Sequence, residues 1–173
     1  MLPPPRILAA LVAVSTRLDA AGVPWLLTGG SARALLGAAR RPADLDLEVD
    51  APDIARAART LGLEARPDSG GGVDSLRATG RIAGVGVDLS AGITVTGPAG
   101  RLSPDWPLQL RFASRLGVAG RRVRVAPVEE MLARALLRED AAKARRLLDP
   151  ALPPPRATYV AARLSAAISS ASS

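Results

Sequence analysis

Apolar residues recur at a helical period near the start of the chain: Ile7, Leu8, Leu11, Val14 and Leu18 fall on one stripe. The pattern predicts a helix from about Arg6 to Ala21, stopped by Gly22. Val23 to Thr28 reads as a short apolar strand, and Gly29-Gly30-Ser31 as a turn with Ser31 capping a short helix that ends near Gly37. The period then changes to two. Leu45, Leu47 and Val49 alternate with Asp44, Asp46 and Glu48, which predicts a strand with one apolar and one polar face. On that face Glu48 and Asp50 read as solvated or capping residues. Ile54, Ala57, Ala58 and Leu61 mark the buried stripe of a helix closed by Gly62.

Past a Gly70-Gly71-Gly72 turn, strands are expected over 75–82 and 85–89, joined tightly at Ala83-Gly84. Residues 92–120 are rich in Gly and Pro and show no periodic element, so they read as a lid or a linker. Val123 and Val125 suggest a final strand, Pro127 opens a long helix, and further helices reach Leu148 and span 158–168. Mixed α and β elements come first and helices last. The expected organisation is an α/β (α+β) domain over 1–126, with a C-terminal helical segment, 127–173, packed on it.

Composition narrows the chemistry. With no cysteine and no histidine, thiolate nucleophiles, Cys/His zinc sites and the usual Ser-His-Asp or Cys-His arrangements are excluded. Catalysis must then use carboxylates, arginine or a metal held by oxygen, which points to magnesium or manganese. Aromatics are 2 %, too few for a stacking platform for bases. The net charge of +7 suits an anionic partner such as RNA, DNA or a nucleotide, or reflects a bias towards arginine codons. The apolar run from Ile7 to Val14 is too short to cross a membrane, and Arg17 and Asp19 follow at once. An amphipathic helix and a cytoplasmic location, with no membrane partner, are expected.

One constellation carries chemistry. A Gly29-Gly30 turn lets backbone approach a ligand closely, and a helix beginning there aims N–H groups and the positive end of its dipole at phosphate. The Ser31 hydroxyl can donate to a phosphate oxygen as well. Residues two apart on a strand share a face, so Asp44 and Asp46 project together. Asp88, between Val87 and Leu89, sits on the polar face of its own strand. If the two strands are neighbours, three carboxylates converge, and cations bound between them relieve their repulsion. A two-metal site suits in-line phosphoryl or nucleotidyl transfer.

The stretch LLTGGSARALLGAARRPADLDLEV, ending at Val49, together with GVGVDLSAG around Asp88, resembles the signature of the nucleotidyltransferase superfamily. It is similar in particular to the minimal and antibiotic-type members and to the transferase toxins of toxin–antitoxin pairs. The resemblance implies the polymerase β-like fold, a mixed sheet flanked by helices. It also implies that Gly29, Gly30 and Ser31, with Arg40 or Arg41, hold the phosphates of an NTP. Asp44, Asp46 and Asp88 would then bind two Mg2+ ions, or Mn2+, and Asp88 would help activate an acceptor hydroxyl. Where the family often carries a helical lysine after the final strand, Arg134 or Ala135 stands here.

Transfer of an NMP from an NTP to a small molecule, a tRNA end or a protein hydroxyl is the leading expectation. The alternatives are a catalytically silent module of the same fold that binds nucleotide, RNA or a toxin/antitoxin partner, and a basic nucleic-acid-binding protein.

Overall fold

The computed structural model describes residues 3–38 and 41–169. The amphipathic stripe forms α1 (Pro5–Ala20), followed by β1 (Trp25–Thr28), α2 (Gly29–Leu35), β2 (Asp44–Val49) and α3 (Ile54–Leu61). Then come β3 (Arg66–Gly70), β4 (Val73–Ile82), β5 (Val85–Gly97), β6 (Gly100–Leu102), α4 (Trp106–Phe112), β7 (Ser114–Val118) and β8 (Arg121–Val125). Three helices close the described chain: α5 (Val128–Leu137), α6 (Ala141–Leu147) and α7 (Ala157–Ser169). The described residues build one mixed sheet in the order β3-β4-β5-β2-β1-β8-β7, with β6 pairing with β5.

The alternation along β2 sets the layers. Leu45, Leu47 and Val49 join Leu27, Val87, Leu89, Val123 and Val125 in a core roofed by Ile7, Leu11, Val14 and Leu18 of α1 and by Ile54, Ala57 and Leu61 of α3. The opposite face of the sheet carries the polar positions of β2 and receives the later helices. Met131, Leu132 and Ala135 of α5 pack with Ala144 and Leu147 of α6. Trp106 of α4 lies with Leu26 and Ala126. No helix among the described residues is long and apolar enough to cross a membrane.

Three expectations need correction. Residues 92–120 are not a lid or linker but the end of β5, then β6, α4 and β7. Ser31 is not an N-cap: Thr28 holds that place, and Ser31 lies inside α2. Glu48 is not solvated. It is 2 % exposed, because α4 and α5 close over it. Arg134 forks onto Glu48 through two hydrogen bonds of 2.9 Å, and Gln109 Nε2 donates a third at 3.1 Å. Arg134 Nε also lies 3.3 Å from Glu130 Oε1. Glu130 in turn accepts from Arg163 at 2.7 and 3.0 Å and from the Tyr159 hydroxyl at 3.0 Å. Asp50, by contrast, caps as expected, accepting from the Ala51 amide at 2.8 Å.

This network makes folding pH-dependent. Burial alone would raise the Glu130 carboxyl, but the Arg163 hydrogen bonds and the charge of Arg134 outweigh it and hold Glu130 below the ordinary 4.5. A carboxylate lowered in the fold contributes stability above its unfolded value and loses it as pH falls through the folded one. Stability should therefore drop below about pH 4.5. In Glu130→Gln this part of the unfolding-midpoint-against-pH curve should be flattened.

Candidate functional site

Where β1 runs into α2, the chain passes directly beneath β2. Antiparallel pairing of β1 with β2 sets Thr28 against Asp46, so the first residues of α2 meet the Asp46 carboxylate. Gly30 donates its backbone N–H to Asp46 Oδ2 at 3.2 Å. Gly29 has φ +63°, and a Cβ there would fall 1.7 Å from Asp46 Oδ2 and 2.7 Å from Asp46 Cβ. No rotation of Asp46 removes the second clash, so only glycine allows this approach. Ser31 is buried, and its hydroxyl donates to the Asp44 carbonyl oxygen at 2.5 Å. It ties α2 to β2.

The parallel pairing of β2 with β5 does the rest. Asp46 lies in register with Asp88, and Asp44 with Gly86. The two strands are thus neighbours, as the convergence of carboxylates requires. Burial pushes the Asp46 carboxyl above its ordinary value, and the negative charge of Asp44 adds to this. The Gly30 amide opposes the shift, while Asp88 reinforces it. Asp44 is exposed beside it.

Asp88 is differently placed from the other two. Arg77 of β4 grips both its oxygens, with Nε at 2.9 and 3.0 Å and Nη2 also in contact, and extends Nη1 to Asp68 at 3.2 Å. Asp44 and Asp46 offer carboxylate oxygens two positions apart on β2, the donor type a hard divalent cation takes. The Asp44–Asp46 pair therefore fits such an ion. Asp88 is occupied by a guanidinium, and no group of three acidic residues among those described stands ready as a metal cage.

Asp46 and Asp88 open onto a cleft of about 540 Å³ between the sheet and α5–α6. Thr28, Gly29, Asp46 and Asp88 line one wall. Arg33 of α2, Arg138, and Lys143 and Arg146 of α6 line it as well. Lys143 is the chain's single lysine. Its ammonium is pulled below the ordinary lysine value, first by desolvation and then by the charges of Arg134 and Arg138. Arg134, which sequence position suggested as a stand-in for the family's lysine, is committed to Glu48. The cleft takes its lysine from the next helix, and nothing in the linear spacing marked it. Arg41 is exposed and lies outside the lining of the cleft, and Arg40 lies outside the described residues.

By sequence, no family model matches the chain and no curated protein aligns with it. Its fold does have solved counterparts. A candidate nucleotidyltransferase of Thermotoga maritima superposes with a TM-score of 0.71 at 21 % identity, over 84 % of this chain and 92 % of that one. ANT(2'')-Ia, solved in complex with adenylyl-2''-tobramycin, gives 0.54 at 15 % identity, over 92 % and 95 % of the two chains. An antigenic nucleotidyltransferase-like protein of Paracoccidioides brasiliensis gives 0.50 at 17 %, over 95 % and 88 %. The chain has the nucleotidyltransferase fold.

Proposed function

We propose that this protein transfers a nucleoside monophosphate from an NTP to an acceptor hydroxyl. The observation that carries the reading is the meeting of opposite charges in one cleft: Asp46 and Asp88 from the sheet, and Arg138, Lys143 and Arg146 from the end of α5 and from α6. A triphosphate has the charge to lie along the cations, with its α-phosphate turned towards Asp46. The acceptor hydroxyl gives up its proton to solvent as its oxygen bonds to the α-phosphorus, the bond to the bridging oxygen breaks, and pyrophosphate leaves. Asp44 and Asp46 are the residues to hold Mg2+ or Mn2+, which when bound neutralises phosphate charge and polarises the attacking oxygen. The Gly30 amide keeps Asp46 aimed, and Ser31 keeps β2 and α2 in step. Lys143 and its arginine neighbours orient the leaving pyrophosphate. The acceptor is a small molecule, an RNA end or a protein hydroxyl.

Calorimetry with each of the four NTPs, with and without Mg2+, tests this reading. Magnesium-dependent binding by the wild type, weakened in Lys143→Ala, is expected. Folded protein that binds no NTP in Mg2+ would overturn it.

The grip of Arg77 on Asp88 favours a second reading, a nucleotide-binding module without turnover, in which Asp88 never joins the metal. The two readings part on one variant. If Asp88 is a ligand once released, Arg77→Ala should tighten Mn2+ binding by about 2- to 5-fold, the size expected for a half-exposed ion pair. Titration followed by the EPR signal of free Mn2+ measures it. Unchanged affinity would assign Asp88 to Arg77 for good and favour the silent module.

A further inference from the structure

The far end of the sheet carries a second concentration of charge, separate from the cleft. In the β7–β8 hairpin, Arg115 pairs directly with Arg124, and Gly117 with Arg122. Side chains two apart on a strand share a face, so Arg115, Arg122 and Arg124 stand together. Val123 and Val125 point into the α1–α3 core, which sets the three arginines on the opposite side of the sheet, the side that bears Asp46 and Asp88. All three are exposed. None has a salt-bridge partner among the described residues.

Like charges directly opposite on paired strands are destabilising. A chain with acidic residues elsewhere on its surface has left this cluster uncompensated. Charge on an edge strand is a common guard against sheet-to-sheet aggregation, and that accounts for Arg115. It does not account for Arg122 and Arg124, because β8 is an inner strand paired on both sides.

We infer that the β7–β8 face binds the phosphodiester backbone of an RNA strand. Guanidinium forks suit phosphate oxygens, and phosphate contact alone supplies affinity without reading bases. Among the paired positions of the hairpin this face carries the three arginines and Gly117, with no apolar or aromatic side chain. A protein partner would need an apolar core to its interface, and a membrane surface would need an apolar face to insert. A polyphosphate backbone needs neither.

The register places the face usefully. Leu27 pairs with Val125, so Arg124 lies level with Leu26. Leu26 is opposite Glu48, one position on from Thr28 and Asp46 along their strands' site face. Two inter-strand spacings, about 10 Å, separate β8 from β2. α4 covers Leu26 and Glu48 between the two, so a strand held on the hairpin would pass around that helix to present an end or an internal ribose hydroxyl to the cleft. That last point rests on the nucleotidyl-transfer reading and is why RNA, with a hydroxyl on every ribose, is named rather than DNA. Binding at the hairpin does not depend on it.

Fluorescence anisotropy with a labelled RNA of about twenty nucleotides and mixed sequence, between roughly 50 and 200 mM salt, tests the proposal. The wild type should bind with affinity that falls steeply with salt. The Arg115→Gln/Arg122→Gln/Arg124→Gln variant should bind at least about 10-fold more weakly, with a log–log salt slope shallower by about 2, at roughly 0.7 for each phosphate no longer neutralised. The corresponding triple lysine variant should retain most of the slope.

NTP calorimetry on the glutamine variant should match the wild type, so a failed RNA result and a failed transferase reading are told apart. Absence of RNA binding, or a salt slope untouched by the glutamine variant, would overturn the proposal. So would polyglutamate or anionic vesicles displacing RNA at equal charge, which would hand the face to an acidic protein or a membrane.

Discussion

Arg134→Ala should lower the unfolding free energy by about 3–5 kcal/mol, the usual cost of removing one partner of a buried ion pair. Glu48 would be left with its negative charge under α4 and α5 and only Gln109 as a donor. Glu130 would keep Arg163 and Tyr159 and suffer less. For a chain of this length the midpoint of thermal unfolding should fall by roughly 6–20 °C. Replacing both Glu48 and Arg134 with methionine should recover most of the loss, since a pair of apolar groups leaves no charge stranded. Thermal and urea unfolding of Glu48→Met, Arg134→Met and the double methionine variant supply the cycle. An Arg134→Ala protein within about 1 kcal/mol of wild type, by the same scale of ion-pair costs, would mean that the network is wet.

Asp46→Asn should reduce nucleotidyl transfer by about 10³-fold, because a metal's charge stabilisation of several kcal/mol converts at tenfold per 1.36 kcal/mol. The fold should not suffer. Burial raises the Asp46 carboxyl above its ordinary value, so ionising it is less favourable in the fold than in the unfolded chain. A group raised in this way costs stability as pH rises past its unfolded value. A neutral amide of the same shape removes that cost and can still accept from Gly30. The unfolding midpoint at neutral pH should therefore hold or rise while turnover and metal affinity fall. Such opposition is expected of a site kept charged for function. A variant that loses activity and stability together would show that Asp46 serves the fold first. One that keeps its turnover would remove Asp46 from the chemistry.

The parts of this site that were legible in the sequence are those written as period or as a glycine at a junction. Alternation along β2 announced a shared face for Asp44 and Asp46, and the stripes of α1 and α3 announced the core beneath it. The reading failed where a local pattern is set by a distant contact. Residues 92–97 look like loop because Gly92 and Gly97 bracket them, yet they extend β5. A Cβ on Gly97 would lie 1.8 Å from the Leu137 carbonyl oxygen, so glycine is there to admit α5. β3 was invisible because every residue in it is exposed, leaving no apolar period to find. Glu48 looked solvent-facing because its strand alternates; its burial is imposed by Gln109 and Arg134, which lie 61 and 86 positions away. Arg77 gave no signal either, since its partner Asp88 becomes a neighbour only after the β4–β5 hairpin closes.

Lys143 gives the cleft a built-in reporter. Apart from the α-amine, it carries the chain's one primary amine. An amine-selective acylating reagent therefore has a single side-chain target, and its lowered proton affinity keeps more of the reactive free base present near neutral pH than an ordinary lysine would. The mass increment on the peptide that carries Lys143 then counts empty clefts, and the fraction shielded at each nucleotide concentration traces a binding curve without a labelled ligand or an assay of turnover.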